Sequence, residues 1–184
     1  IKDWKRYKRL MVETSPIIDC GVHYLDVGHW FTNEEIIDVN GFGMNTENDL
    51  DKSIYNYGMI TAKLSGGSSI CYEAGWGNTI SSNNSKEFIG PKGRIRFTFQ
   101  KDRNYNQEEG DLIELYKYPE NSYKIINIQS ERQPTDAQFD YLVSMIENNI
   151  EAKPSIEEVL NSFKYVLKAD NQIKNIDKGR YGEF

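Results

Sequence analysis

Apolar positions change their spacing three times along the chain, and each change marks a different kind of element. From Ile17 to Phe31 apolar residues are dense and no proline interrupts them, which predicts a helix. Ser15 is placed to cap it and Pro16 to fill its first position, where a missing N–H is harmless. Thr32 and Asn33 end it. Strand-like runs follow at Ile36–Met44, Tyr57–Leu64, Ser69–Trp76, Ile95–Phe99 and Leu112–Tyr118, with a further one at Lys124–Ile128. Gly66-Gly67 and Tyr118-Pro119-Glu120-Asn121-Ser122 read as hairpin turns, so the strands they join are antiparallel. Thr135–Ile150 and Ser155–Ala169 return to helical spacing, and Lys153-Pro154 separates them. Phe139, Leu142, Val143 and Ile146 form one apolar stripe; Val159, Phe163, Val166 and Leu167 form the other. Asn45–Ser53 and Lys101–Gly110 are polar, charge-rich and expected to be loose. The fold class that follows is α+β, an open, mostly antiparallel sheet of about six strands with helices on one face.

Composition narrows the partners. A length of 184 residues suits one domain, and an opening at Ile1 rather than Met is expected of a processed or excised piece. With 22 basic against 28 acidic residues and a net charge of −6, no basic field exists for a phosphate backbone, so nucleic acid is not an expected partner. No run approaches the ~18 apolar residues of a membrane span, and no secretory pattern opens the chain. Cys20 and Cys71 are too few and too distant for a disulfide framework, which fits a reducing cytoplasmic setting.

The helix from Ile17 carries the candidate chemistry. Advancing by roughly 100 degrees per residue, Asp19, His23, Asp26 and Trp30 fall within a stripe about 60 degrees wide. Ile18, Val22, Leu25 and His29 flank it on one side, and Cys20, Tyr24, Val27 and Phe31 on the other, so most of the circumference is expected to be buried. Carboxylates and an imidazole in such a setting must pair, titrate abnormally or face a cavity. At four-residue spacing Asp19 can reach His23, hold its ring and favour its charged form. A histidine so tuned and aimed at a pocket can take a proton from a hydroxyl or return one. The plainer alternative is that the two residues satisfy each other. Zinc is a weaker reading, because no cysteine or further histidine completes a tetrahedral set with Asp19, His23 and Asp26. His29 reads as structural.

The run Ser15-Pro16-Ile17-Ile18-Asp19-Cys20-Gly21-Val22-His23-Tyr24-Leu25-Asp26, with Trp30 beyond it, resembles the signature helix of the glucose-fructose oxidoreductase / inositol dehydrogenase / MocA (Gfo/Idh/MocA) family, D-x-G-x-H-x-x-D followed by Trp. Lys86–Phe97 is similar to that family's strand-turn-strand segment E-x-x-G-x-K-G, and the closing pair of helices follows in family order. The resemblance implies that residues 1–184 are a C-terminal substrate and dimerisation domain, with a fold like the C-terminal domains of dihydrodipicolinate reductase and glyceraldehyde-3-phosphate dehydrogenase. An N-terminal Rossmann domain binding NAD or NADP would be absent from this chain. It implies His23 as acid/base toward a sugar, cyclitol or related polyol and Asp19 as its orienting partner, with Lys5, Lys8, Asp26 and Trp76 as candidate substrate contacts. It also implies hydride transfer by the intact enzyme, an inactive isolated chain, and a homo-oligomer built on the open sheet face through positions such as Tyr57, Met59 and Thr61.

The sequence departs from the complete enzyme in lacking both G-x-G-x-x-G after a strand and E-K-P, and Gly41-Phe42-Gly43 lies inside a strand pattern. Two non-catalytic readings stand beside the enzyme: an oligomerisation domain, and a sugar-binding module that uses Trp30, Trp76 and the tyrosines as stacking surfaces.

Overall fold

The computed structural model describes residues 3–80, 84–99, 110–128 and 135–180. Helices α1 (Trp4–Glu13) and α2 (Pro16–Thr32) precede strands β1 (Ile36–Met44), β2 (Tyr57–Leu64) and β3 (Ser69–Gly75). Strands β4 (Ser85–Gly90), β5 (Gly93–Thr98), β6 (Asp111–Lys117) and β7 (Ser122–Ile128) follow, then helices α3 (Thr135–Glu147) and α4 (Ile156–Arg180). The class is α+β with open antiparallel sheets, as the pattern predicts, and the described strands divide into β1-β2-β3 and β4-β5-β6-β7. Two compact units result, one holding α1, α2, β1–β3 and α4, the other β4–β7 and α3.

In the first unit, α2 and α4 pack side by side on one face of the three-stranded sheet. Period-two alternation decides which face. On β2, Gly58, Ile60, Ala62 and Leu64 are buried beneath the helices, while Tyr57, Met59 and Thr61 are only half-buried on the other side. Ile17 and Leu25 of α2, Val39 and Ile60 of the strands, and Val166 and Ile173 of α4 close the core at 0–1% exposure. Burying a side chain of this size contributes about 1.5–3 kcal/mol each. On α4 the buried face runs through Ser162, Val166, Ala169, Asp170 and Ile173. The sequence-predicted stripe is thus rotated: Val166 lies inside, while Val159, Phe163 and Leu167 are exposed.

Close approach explains two glycines of β1 and α2. A Cβ on Gly41 would sit 2.3 Å from the Ala169 carbonyl oxygen, and one on Gly28 would sit 2.2 Å from Ile70 Cδ1. Along β1, an edge strand, Gln172 accepts from the Gly41 N–H (2.8 Å) and donates to the Val39 carbonyl (3.2 Å).

The segment Asn45–Ser53, expected to be loose, is held down. Leu50 is buried, Ser53 donates twice to Asp51, and Trp4 and Lys8 of α1 both bond Asp49. Glu47 accepts from the backbone N–H and the side-chain amide of Asn78. The other predicted loose segment, Lys101–Gly110, lies outside the described residues apart from Gly110.

The second unit is a meander. β4 and β5 meet in register from Ser85↔Thr98 to Gly90↔Gly93, so Lys86–Phe97 is the strand-turn-strand that its resemblance implies. Gly93 has φ 139°, and a Cβ there would fall 2.0 Å from the Tyr116 carbonyl oxygen, so only glycine fits. On α3, Phe139, Leu142 and Ile146 form an exposed apolar stripe. No described helix is long and apolar enough to cross a membrane.

Candidate functional site

Helix α2 is fixed at both ends. Ser15 Oγ accepts the Ile18 N–H at 3.1 Å, Pro16 occupies the first turn, and Asn33 ends the helix in the left-handed region at φ 56°. Three sides of α2 are engaged. Ile17, Gly21 and Leu25 are buried, Tyr24 stacks on Tyr72 of β3 with ring centroids 4.8 Å apart, and Gly28 lies against Ile70. Toward α4, Ser162 Oγ donates to Asp26 Oδ1 at 3.4 Å, and His29 approaches Glu158.

The fourth edge faces out, and it carries Asp19, His23 and Trp30, all exposed, with Trp30 at 75%. Three of the four residues of the predicted stripe thus share an exposed edge, while Asp26 is half-buried toward α4, and the burial expected around the stripe stops short of this edge. Among the described residues no hydrogen bond or ion pair joins Asp19 to His23. Asp19 Oδ2 instead accepts from Cys20 Sγ at 3.3 Å. Burial first, and then this bond to Asp19, pushes the Cys20 thiol up to about 11, which keeps it protonated and unsuited to nucleophilic work.

The candidate substrate contacts fall on other elements. Lys8 is bound to Asp49 at 2.8 Å, Lys5 is exposed on α1, and Trp76 packs against Tyr7 with centroids 5.3 Å apart. Trp76 is further anchored through its backbone, which exchanges hydrogen bonds with the buried Asn56. No described hydrogen bond or ion pair links Lys5, Lys8 or Trp76 to Asp19 or His23.

A nearby network was not read from the sequence. Tyr55, 2% exposed, donates to Asp170 Oδ1 at 2.5 Å; Asp170, also 2% exposed, takes Lys174 Nζ on its other oxygen at 2.7 Å. Burial, then the bond to Asp170, raises the Tyr55 phenol far above its ordinary range. A carboxylate interrupting an apolar stripe, as Asp170 does on α4, was the available signal.

Gly41 and Gly43 do not form a phosphate-binding turn. A Cβ on Gly41 would meet the Ala169 carbonyl oxygen at 2.3 Å and one on Gly43 would meet Ile173 at 2.4 Å, so the space beside both glycines is filled from within the core and leaves no room for a phosphate. No group of three His, Cys, Asp or Glu among the described residues is arranged to hold a metal ion. A groove of about 1060 Å³ does lie on this unit, but it follows α4 and the β1 edge, between Phe42, Leu160, Phe163 and Leu167, and none of the sequence-predicted site residues lines it.

The family model described as GFO/IDH/MocA C-terminal domain matches residues 2–96. No curated protein is close enough in sequence to count as a match. Among solved structures, the scyllo-inositol dehydrogenase of Lactobacillus casei, determined with bound NAD(H) and scyllo-inositol, is 22% identical, with a TM-score of 0.66 over 96% of this chain and 52% of that one. A UDP-N-acetylglucosamine 3-dehydrogenase of Acidithiobacillus ferrooxidans is 12% identical, with a TM-score of 0.69 over 89% of this chain and 48% of that one. The aldose-aldose oxidoreductase of Caulobacter crescentus is 14% identical, with a TM-score of 0.64 over 84% and 44%. The chain thus spans about half the length of the solved structures it matches, and at these identities what it shares with them is the fold.

Proposed function

Since the chain belongs to the GFO/IDH/MocA C-terminal domain family, we propose that it is the substrate-side half of a nicotinamide-dependent oxidoreductase acting on a sugar, cyclitol or related polyol. NAD or NADP, held chiefly by a partner Rossmann domain, would supply the hydride chemistry. The residues of this chain manage the proton. His23 takes it from the substrate hydroxyl at a ring nitrogen and returns it in the reverse direction. Asp19, one turn earlier on the same edge, orients the imidazole once substrate is bound or holds a neighbouring hydroxyl. Asp26, Lys5, Lys8 and Trp76 are proposed as supporting contacts.

One observation carries this reading. Asp19 and His23 stand one turn apart on the open edge of a helix whose other sides are packed, so both are available to a molecule arriving from outside. The test follows the His23 ring resonances of this chain by NMR as myo-inositol or glucose is added. A response that is weakened in Asp19→Asn is expected. Silence toward both polyols, together with near-normal turnover of His23→Ala in the full-length oxidoreductase, would remove His23 from the reaction.

A second, compatible reading is self-association through the sheet face opposite α2 and α4. Phe42 and Met44 are 56% and 54% exposed, and they pair across β1 and β2 with the half-buried Met59 and Tyr57. Phe42→Lys should shift sedimentation toward a smaller species if this face is the interface.

A further inference from the structure

One buried amide holds two of the candidate contacts that stand apart from Asp19 and His23. Asn56, immediately before β2, is 0% exposed. Its Oδ1 accepts the Thr46 N–H at 2.7 Å, and its Nδ2 donates to the Trp76 carbonyl at 2.8 Å and to Thr46 Oγ1 at 2.9 Å. A backbone N–H can only donate and a carbonyl can only accept, so these partners fix which way the amide points. The backbone repeats the pattern: the Asn56 N–H donates to the Met44 carbonyl at 3.2 Å, and the Asn56 carbonyl accepts the Trp76 N–H at 2.8 Å. The start of β2 is thus tied on one side to the exit from β1 and on the other to the end of β3.

A second tie lies beside the first, where Glu47 accepts from the backbone N–H and the side-chain amide of Asn78. Between the two ties a Cβ on Gly77 would sit 2.7 Å from Glu47 Oε1 and 2.8 Å from Asn56 Nδ2, so this close approach needs glycine. From here α1 is reached by two routes. The segment that leaves Thr46 presents Asp49 to Trp4 and Lys8, while Trp76 packs its ring on Tyr7. This end of the sheet lies under the first turn of α2: a Cβ on Gly58, two residues after Asn56, would fall 2.7 Å from Ile17. A buried amide needing only to be satisfied could find both partners on one neighbour. This one divides donor and acceptor between the strand end that bears Trp76 and the segment that holds Lys8.

We propose that Asn56 is a positioning residue: it sets Trp76 and, through the segment bearing Asp49, Lys8 at the end of the sheet under the first turn of α2, so that a polyol meets an aromatic face and an ammonium donor there. This rests on the reading of Trp76 and Lys8 as supporting contacts, and the first half of the test does not. The three indole N–H resonances of the chain are followed by NMR in wild type, Asn56→Asp and Asn56→Leu at neutral and acid pH, each variant against wild type at the same pH. Trp30, exposed on α2, is the internal control. Asn56→Asp keeps the acceptor for Thr46 but at neutral pH has no proton for the Trp76 carbonyl, so Trp76 should shift while Trp4, which reports on Asp49, stays in place. Acid protonates the new carboxyl and restores the donor, and Trp76 should return. Asn56→Leu should shift Trp76 and Trp4 together at either pH. Gly77→Ala, which presses on both ties, should do the same and covers the case in which the leucine variant fails to fold. In the second half, myo-inositol should bind Asn56→Asp about tenfold more weakly than wild type at neutral pH, with the gap closing in acid. Shifts that include Trp30, a Trp76 signal indifferent to Asn56→Asp, or indole shifts with polyol affinity unchanged would overturn the proposal and leave Asn56 as an amide that only satisfies its neighbours. A wild type silent to myo-inositol and glucose, with the indole pattern as expected, would instead count against the substrate reading alone.

Discussion

His29 Nε2 lies 3.8 Å from Glu158 Oε1, and this pair joins the last turn of α2 to the first turn of α4. The other ring nitrogen, Nδ1, is 2.8 Å from the Glu34 carbonyl oxygen. A carbonyl has no proton to give, so Nδ1 carries one in both charge states and titration occurs at Nε2, the atom facing Glu158.

The bond to Glu34 first, then the charges of Glu35, Glu158 and Asp26, raise the His29 pKa against the opposing effect of burial. A raised folded value means that the stabilisation is complete below the ordinary value of 6.5 and fades as pH rises through the raised one. Melting of His29→Gln should therefore fall furthest below wild type in mildly acidic solution, with the gap closing in alkali. A gap constant across that range would mean that the charge on His29 adds nothing.

Glu34 has the opposite sign. Ser68 Oγ first, and then the N–H groups of Ser68 and Gly66, hold its carboxyl below the usual 4.5. Its contribution is present above that value and is lost as pH falls through the lowered one. Glu34→Gln should destabilise the β2–β3 hairpin at neutral pH and converge on wild type in acid. Melting curves taken over that range read the convergence directly.

Two glycine substitutions should differ in severity. In Gly28→Ala the new methyl meets the end of the Ile70 side chain, which can swing aside, so a loss of about 1–2 kcal/mol is expected. In Gly41→Ala it meets the Ala169 backbone, which cannot move without shifting α4, so about 3 kcal/mol is expected. Denaturant midpoints of the two variants should rank in that order.

Val166 and Val159 share a helix and a residue type but not an environment, at 0% and 40% exposure. Truncating Val166 to alanine should cost about 2 kcal/mol and truncating Val159 less than about 0.5. Equal losses would mean that the two valines are packed alike.

These contrasts show what the sequence discloses. The strongest punctuation was readable: Ser15 and Pro16 start α2, Asn33 stops it, and Gly66-Gly67 turns β2 into β3. β1 and β2 fall on the predicted residues because one buried face imposes alternation, interrupted on β1 by the irregularity between Ile36 and Asp38. α1 was hidden because the charges of Lys5, Arg6, Lys8 and Arg9 dilute its apolar spacing, while its inner side needs only Met11 buried and Tyr7 against Trp76. β4 was legible only through the resemblance of Lys86–Phe97, because no residue of Ser85–Gly90 is buried and hydrophobic spacing left no mark. The α4 stripe was misjudged because Ser162 and Asp170 face inward, and their polarity disguises the buried side until their partners Asp26 and Tyr55 are seen. The line of Asp19, His23 and Trp30 was readable from angular spacing alone, but its exposure depended on what packs around α2.

The Gln172 side chain has a consequence for how this sheet can grow. By accepting from one β1 amide and donating to the carbonyl two residues earlier, it occupies the groups that an incoming strand would use, much as a neighbouring peptide unit would. Strand addition along that stretch of β1 must first displace a side chain anchored in α4. The helix that completes the core thereby also guards the sheet margin against edge-to-edge association.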